Sequence, residues 1–383
     1  MIVKAVDVET TIYNKGNCFD SRNVMCLCGV GDKVWDIQYS DEPYGHKLKE
    51  IQQEIDEADL LVLVNAKFDL HWLTRYGIKF NHKRIWDCQL VYFMLHAQTI
   101  PYPSMNMMAE EYGLEQKPNI AEKYWDAGIQ TTEIPYDELS SYLQHHDLPT
   151  TEKIYHIQKE LVKQNGKEFE RLVSLANQDL LVLQEMEYNG LRYEEEVCKI
   201  ESAKLEIQIN ELRMELHDYH SIPEFNTASG DHLSCLLYGG TINVQRREHV
   251  GVYKTGDRAG EDKYGWRDYA YTLPRIVTPI PKSELKKEGY WQTGEDVLKS
   301  LKCRDKAGKR VIEIILTLAK LEKMKGTYYD GLPKLREKMN WEPNFLHGNL
   351  NQCVAATGRL SSTKPNLQNL SGDMKNMFLT RFI

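Results

Sequence analysis

The sequence predicts an α/β protein with a mixed sheet, followed by a mainly helical second part and a short strand-and-loop end. Three observations carry this. Short apolar runs separated by turn residues open the chain, strands and helices then intermingle, and from Glu168 onward the helical period dominates. The runs Ile2–Val8, Val24–Val30 and Lys33–Gln38, divided by Asn-Lys-Gly and Gly-Asp turns, read as an antiparallel meander. A helix is expected over Tyr44–Glu57, a buried strand over Leu60–Val64 and a second helix over Lys67–Arg75. A strand–helix pair follows over Ile85–Leu95, and a helix near Tyr136–Lys163 closes the region. Beyond it, Glu168–Asp218 reads as two helices broken at Asn189-Gly190. Residues 239–290 are rich in Gly, Tyr and charge and read as a hairpin-bearing insertion or mobile loop. Helix returns over Val311–Met339, and Phe345–Ile383 reads as strand and loop.

A chain of 383 residues predicts two or three domains, and 42% hydrophobic with 27% charged residues fits a globular protein. No apolar run reaches 18 residues, and Met1–Val8 leads straight into Asp7 and Glu9 rather than forming a signal peptide. A cytoplasmic location with no membrane partner is expected. The eight cysteines are scattered; Cys26 and Cys28 form the one close pair, with no second pair at zinc spacing, so reduced thiols are expected. The net charge of −8 is unevenly spread. Residues 1–155 hold 14 Lys and Arg against 24 Asp and Glu, a net of −10, whereas residues 302–383 hold 15 against 7, a net of +8. A basic end on an acidic body suits phosphate binding, although a solvated charged face has the same composition.

The candidate chemistry lies in carboxylates. Asp7-Val-Glu9 sits on a strand, where alternation puts both acids on one side. Asn65-Ala-Lys-Phe-Asp69 places another acid at the start of a helix after a buried strand, and Asp147 lies on the closing helix. Acidic oxygens from separate elements, with no His/Cys cluster, suit Mg²⁺ or Mn²⁺ rather than zinc. An Asp-x-Glu pair alone is weak, since most such pairs are solvated.

The ordered set is more specific. Asp-x-Glu-Thr, then Asn-x3-Asp, then a Tyr-to-Asp helix about 80 residues later resembles the DnaQ-like 3′–5′ exonuclease motifs, an RNase H-like fold. The resemblance implies that Asp7, Glu9, Asp69 and Asp147 hold two Mg²⁺ (or Mn²⁺) ions, that Tyr142 reaches the attacking water and that Asn65 helps position the DNA 3′ end. One departure stands out. The tyrosine branch of that family has Tyr-x3-Asp, but Tyr142-Leu-Gln-His-His-Asp147 is Tyr-x4-Asp. One extra helical residue turns Tyr142 by about 100° relative to Asp147 unless a π-bulge absorbs it. His145 or His146 is the alternative contributor.

The second part resembles family A DNA polymerases. Gln184-Glu-Met-Glu-Tyr-Asn-Gly-Leu-Arg192 is similar to the entry to their thumb, and Phe225-Asn-Thr-Ala-Ser-Gly-Asp-His-Leu233 to the thumb-tip motif. Thr293-Gly-Glu-Asp-Val-Leu298 and Leu321-Glu-Lys-Met-Lys-Gly-Thr-Tyr-Tyr-Asp330 resemble two further thumb helices. Asn351-Gln-Cys-Val-Ala-Ala-Thr-Gly-Arg-Leu-Ser-Ser-Thr-Lys-Pro-Asn-Leu-Gln-Asn369 closely matches the family's Thr-Gly-Arg-Leu-Ser-Ser-x-x-Pro-Asn-Leu-Gln-Asn signature. By this resemblance Asn226, Ser229, Lys323, Lys325, Thr327 and Tyr328 hold phosphates, while Arg359, Asn366 and Gln368 read shared minor-groove acceptors.

The expected organisation is an exonuclease domain over 1–165, a polymerase thumb over 166–340 with an insertion near 241–289, and the beginning of a palm over 341–383. Neither polymerase aspartate motif occurs. The expected protein is therefore the proofreading, exonuclease-bearing subunit of a two-chain replicative polymerase, because nucleotidyl transfer needs a second polypeptide with fingers and the rest of the palm. A phage gene split, a split-intein precursor or a deliberately shortened chain would give the same sequence. Expected partners are primer–template DNA, single-stranded 3′ ends, that second polypeptide and a processivity factor, in a host cytoplasm if the gene is a phage's. The alternative is a DNA-binding scaffold whose exonuclease has decayed at Tyr142–Asp147. An RNase D-type processing nuclease is disfavoured, having no use for a primer–template grip.

Overall fold

The computed structural model describes residues 1–40, 42–118, 120–370 and 372–379. The last four residues of the apolar run Met377–Ile383, 380–383, lie outside the described residues. The chain divides into two compact units, Met1–Glu195 with Leu332–Ile383, and Glu196–Gly331. These cut the chain elsewhere than the three divisions expected from sequence.

The first unit is built on five strands: β1 (Val3–Thr10), β2 (Met25–Val30), β3 (Lys33–Asp36), β4 (Leu60–Leu63) and β5 (Arg84–Asp87). Their order is β3-β2-β1-β4-β5. β2 runs antiparallel to β1 and β3, while β4 lies parallel to β1 and β5. The meander and the mixed sheet are as the sequence predicts. β2 and β4 are buried along their whole length, because helices cover both sheet faces. Those helices are α1 (Gly45–Glu57), α2 (Ala66–Arg75), α3 (Cys88–Leu95), α4 (Met105–Glu111), α5 (Ile120–Asp126) and α6 (Tyr136–Tyr142). α6 passes through a π turn, Leu143–Asp147, into α7 (Leu148–Gln164), so the closing helix is continuous. It packs closely on β2 at Gly29, where an added Cβ would meet Leu148 at 2.7 Å and Leu143 at 3.2 Å.

α8 (Lys167–Asn189) presents Val173, Asn177, Leu180, Gln184 and Glu187 as one buried stripe at helical spacing. It ends at Gly190, whose φ is +67° and where an added Cβ would lie 2.8 Å from the His347 ring, so no side chain fits. β6 (Leu191–Arg192) follows.

The second unit holds most of α9 (Glu195–His220), then α10 (Gly230–Tyr238), a hairpin of β7 (Gly240–Val252) and β8 (Asp262–Leu273), α11 (Glu295–Ser300) and α12 (Lys306–Lys323). The expected insertion is thus an ordered two-stranded ribbon whose base, Ile242 and Val244, is buried. A second π turn, Met324–Tyr329, interrupts the helix expected over Val311–Met339 and ends at α13 (Gly331–Met339).

Residues 332–379 rejoin the first unit. β9 (Phe345–Leu346) pairs with β6, and β10 (Asn349–Asn351) pairs with β11 (Ser361–Thr363). Lys67 donates to the Leu350 carbonyl at 2.5 Å, His347 stacks on Phe19 with centroids 3.8 Å apart, and Asn340 donates to Asp20 at 2.8 Å. Among the described residues no helix is long and apolar enough to cross a membrane. All eight cysteines are free thiols, and every one but Cys303 is buried.

Candidate functional site

β1 carries Asp7 and Glu9 two residues apart, so both project to one side of the sheet. The closing helix brings Asp147 to them. Carboxylate oxygens of Asp7, Glu9 and Asp147 all lie within 4.8 Å of one another. Glu9 is 8% exposed and Asp147 2%, while Asp7 is half-buried.

The π turn Leu143–Asp147 explains how Asp147 arrives there. A π turn takes one more residue than an α turn, so the Tyr-x4-Asp spacing is absorbed and both side chains face the sheet. Tyr142 is buried, and its phenol shares a hydrogen bond with Lys117. Burial, then the nearby Asp147, pushes that phenol's pKa up. His145 is exposed and His146 half-buried, with the His146 ring 6.2 Å from that of Tyr142.

Asp69, in the first turn of α2, stands one place removed from the three. Its Oδ1 accepts from the Val8 N–H at 3.1 Å, and it shares a hydrogen bond with Asp7. Such a bond requires a proton on one of the two. Burial, then repulsion by Asp147, pushes Asp7 up to about 8. Burial and repulsion by Asp7 likewise raise Glu9 and Asp69 well above the usual carboxylate range. Carboxylates crowded together this way invite a positive charge.

Lys117 supplies one. Its ammonium lies 3.3 Å from Asp147 Oδ1 and 5.5 Å from the centre of the Tyr142 ring. Burial acts to lower its pKa, but Asp147, Tyr142 and Asp7 together raise it, so it stays protonated. Sequence reasoning passed over this residue. The one available signal is its isolation, since only three Lys stand against ten Asp and Glu in residues 101–155.

The donor set fits a hard divalent cation. It consists of carboxylate oxygens alone, and buried Asp147 Oδ1, though 3.3 Å from the Lys117 ammonium, makes no well-directed hydrogen bond. An open cleft of about 270 Å³ adjoins the cluster and is lined in part by Asp7, Asn106 and Lys117. Asn65 is the N-cap of α2, exposed and left-handed with φ 60°. Asp87 fixes it there. That buried carboxylate accepts from the N–H groups of Asn65, Ala66 and Gln89 at 2.9–3.1 Å, tying the starts of α2 and α3 together.

In the second unit Asn226 is exposed and accepts from Ala228 N, while Ser229 caps α10 by accepting from His232 N. Lys323 and Thr327 are exposed. Lys325 is already paired with Asp330 at 2.7 Å and Glu206 at 3.2 Å, and Tyr328 is buried. In residues 332–379 of the first unit, Arg359 is exposed, with no hydrogen bond or ion pair to any described residue. Asn366 and Gln368 are exposed too; Gln368 donates to the Leu360 carbonyl at 3.0 Å.

Comparison with known proteins agrees with the second half of the sequence reading. Residues 273–381 match the family described as DNA polymerase family A. The chain is 27% identical over 316 residues to DNA polymerase I of Synechocystis, covering 81% of this chain and 27% of that protein. Against the thermostable DNA polymerase I of Thermus aquaticus it is 41% identical over 91 residues, 24% of this chain and 10% of the other. The chain spans about a quarter of the length of the longer-matching relatives. Its fold is similar to that of the POL domain of Pol1 from M. smegmatis, solved with DNA primer-template and dNTP. The TM-score is 0.65 at 16% identity, over 96% of this chain and 52% of that one.

Proposed function

We propose that this chain is a 3′–5′ DNA exonuclease joined to DNA-holding elements of a family A polymerase, and that it removes mispaired 3′ nucleotides during replication. The observation that carries the reading is the meeting of Asp7, Glu9 and Asp147 within 4.8 Å beside Tyr142, with Asp7 lining an open cleft. The strand order and directions of the sheet support an RNase H-like, DnaQ-like domain for this part.

Asp7, Glu9 and Asp147 would hold divalent cations, with Asp69 joining through Asp7; two Mg²⁺ ions there would acidify a water and stabilise the leaving oxygen. Tyr142, held by the π turn, orients the attacking water. Asn65, exposed at the start of α2, steers the 3′-terminal nucleotide. In the step itself, water oxygen bonds to the terminal phosphorus and the bond from phosphorus to the penultimate 3′ oxygen breaks. The water's proton leaves to solvent, the 3′ oxygen takes one up, and a 5′-mononucleotide departs. Exposed Arg359, Asn366, Gln368, Lys323, Thr327 and Asn226, with half-buried Ser229, contact duplex, whereas Lys325 and Tyr328 hold the π turn Met324–Tyr329 in shape.

The scaffold alternative drew on the Tyr142–Asp147 spacing, and with a π turn that spacing no longer favours it. The exonuclease is tested with 5′-labelled single-stranded DNA, with and without Mg²⁺, beside D7A. Stepwise, Mg²⁺-dependent shortening that D7A lacks is expected. Full-length DNA in every lane contradicts the reading.

A further inference from the structure

Lys117 has no place in the chemistry described above, yet its ammonium is the nearest positive charge to the carboxylates. It sits 3.3 Å from Asp147 Oδ1 and 3.5 Å from Oδ2. The backbone is built to put it there. Lys117 N donates to Asn106 Oδ1 at 3.1 Å, which pins the segment after α4 to that helix. The side chain then reaches the cleft lined by Asp7, Ser104, Asn106 and Thr151. A lysine needed only to neutralise an acidic cluster has no reason to line an open cleft.

We infer that Lys117 is a catalytic residue that touches the scissile phosphate. It is the counter-ion of Asp147. On substrate binding the ammonium would turn to a non-bridging phosphate oxygen on the cleft side, leaving the Asp147 carboxylate free to hold a divalent cation. There it stabilises the charge that builds as water attacks. Lysine suits this better than arginine, because a compact ammonium on a flexible stem can exchange one oxygen partner for another. It stays protonated throughout, so it donates charge and no proton. The inference rests on the exonuclease reading.

The test uses the full chain as wild type, K117M, K117R and D7A. Single-turnover shortening is measured across a Mg²⁺ titration, and affinity for single-stranded DNA is measured in Ca²⁺. K117M is expected to lower the maximal rate about 100-fold without shifting the Mg²⁺ midpoint upward. It should also weaken DNA binding about tenfold, the worth of one charge-assisted contact. K117R should recover part of both, showing that the folded site is retained. A K117M rate that returns to wild type at high Mg²⁺ overturns the inference, because Lys117 then acts only through the cations. Unchanged DNA affinity in Ca²⁺ overturns it as well. Failure of wild type to shorten DNA, with D7A no different, sinks the exonuclease reading and with it the catalytic role of Lys117, whereas an active wild type beside an unimpaired K117M overturns the role of Lys117 alone.

Discussion

At the residue scale, a strand can hold Asp7 and Glu9 side by side only if their repulsion is relieved by protons, by Lys117 or by cations. This gives the site a pH signature. Asp7, pushed up to about 8, binds a proton in the folded chain over a range where the unfolded chain has released it. Folding then carries no ionisation penalty below about pH 4, and the metal-free protein loses stability as pH rises from there to about 8. Cations compete with those protons. The Mg²⁺-induced rise in Tm should therefore be larger at pH 8.5 than at pH 6, and should vanish in D7A; an equal rise at both would contradict it. Asp147→Asn removes a carboxylate charge while keeping the volume, and the exonuclease rate should fall about a thousandfold, several kcal/mol of lost stabilisation. The acids were legible because their motifs are local in sequence. Lys117 was not, because it lies in an aperiodic segment thirty residues from its partner and acquires meaning only through the fold.

At the element scale, the π turn decides whether the site assembles. Tyr-x4-Asp on a regular α-helix would point Tyr142 and Asp147 apart, and the wider turn over Leu143–Asp147 brings them back together. Deleting His145 should convert the π turn to an α turn and keep exonuclease activity within about tenfold, whereas inserting an alanine there should abolish it. Gel assays of both variants check this, and equal loss in the two would contradict it. The spacing was readable in the sequence, but the conformation that absorbs it depends on the packing of Leu143 and Leu148 against Gly29. A second element-level device centres on Glu187 of α8. Its buried carboxylate accepts from Lys67 at 2.5 Å and meets His71 at 2.9 Å, and Leu350 N also donates to it. Glu187→Ala leaves these groups unpaired and should cost about 3–5 kcal/mol of stability, read as a lower Tm.

At the scale of the whole molecule, the sequence reading treated residues 166–195 and 332–383 as parts of a thumb and a palm. In the structure they belong to the same compact unit as the carboxylate site. Local motifs carry no information about which distant segments share a core, and contacts such as Lys67 with Leu350 lie 283 residues apart. The charge asymmetry carries its own prediction. If residues 302–383 hold DNA by phosphates, duplex affinity in EDTA should fall steeply with salt, and K323A should reduce the slope of log K against log salt by about one. The central claim is that the carboxylate site hydrolyses the last phosphodiester with water. It is tested most directly by digesting single-stranded DNA with Mg²⁺ in ¹⁸O-labelled water and weighing the products. The account predicts 5′-mononucleotides, each with one ¹⁸O in its phosphate, from wild type and none from D7A. Unlabelled mononucleotides, internal fragments or intact DNA would contradict it.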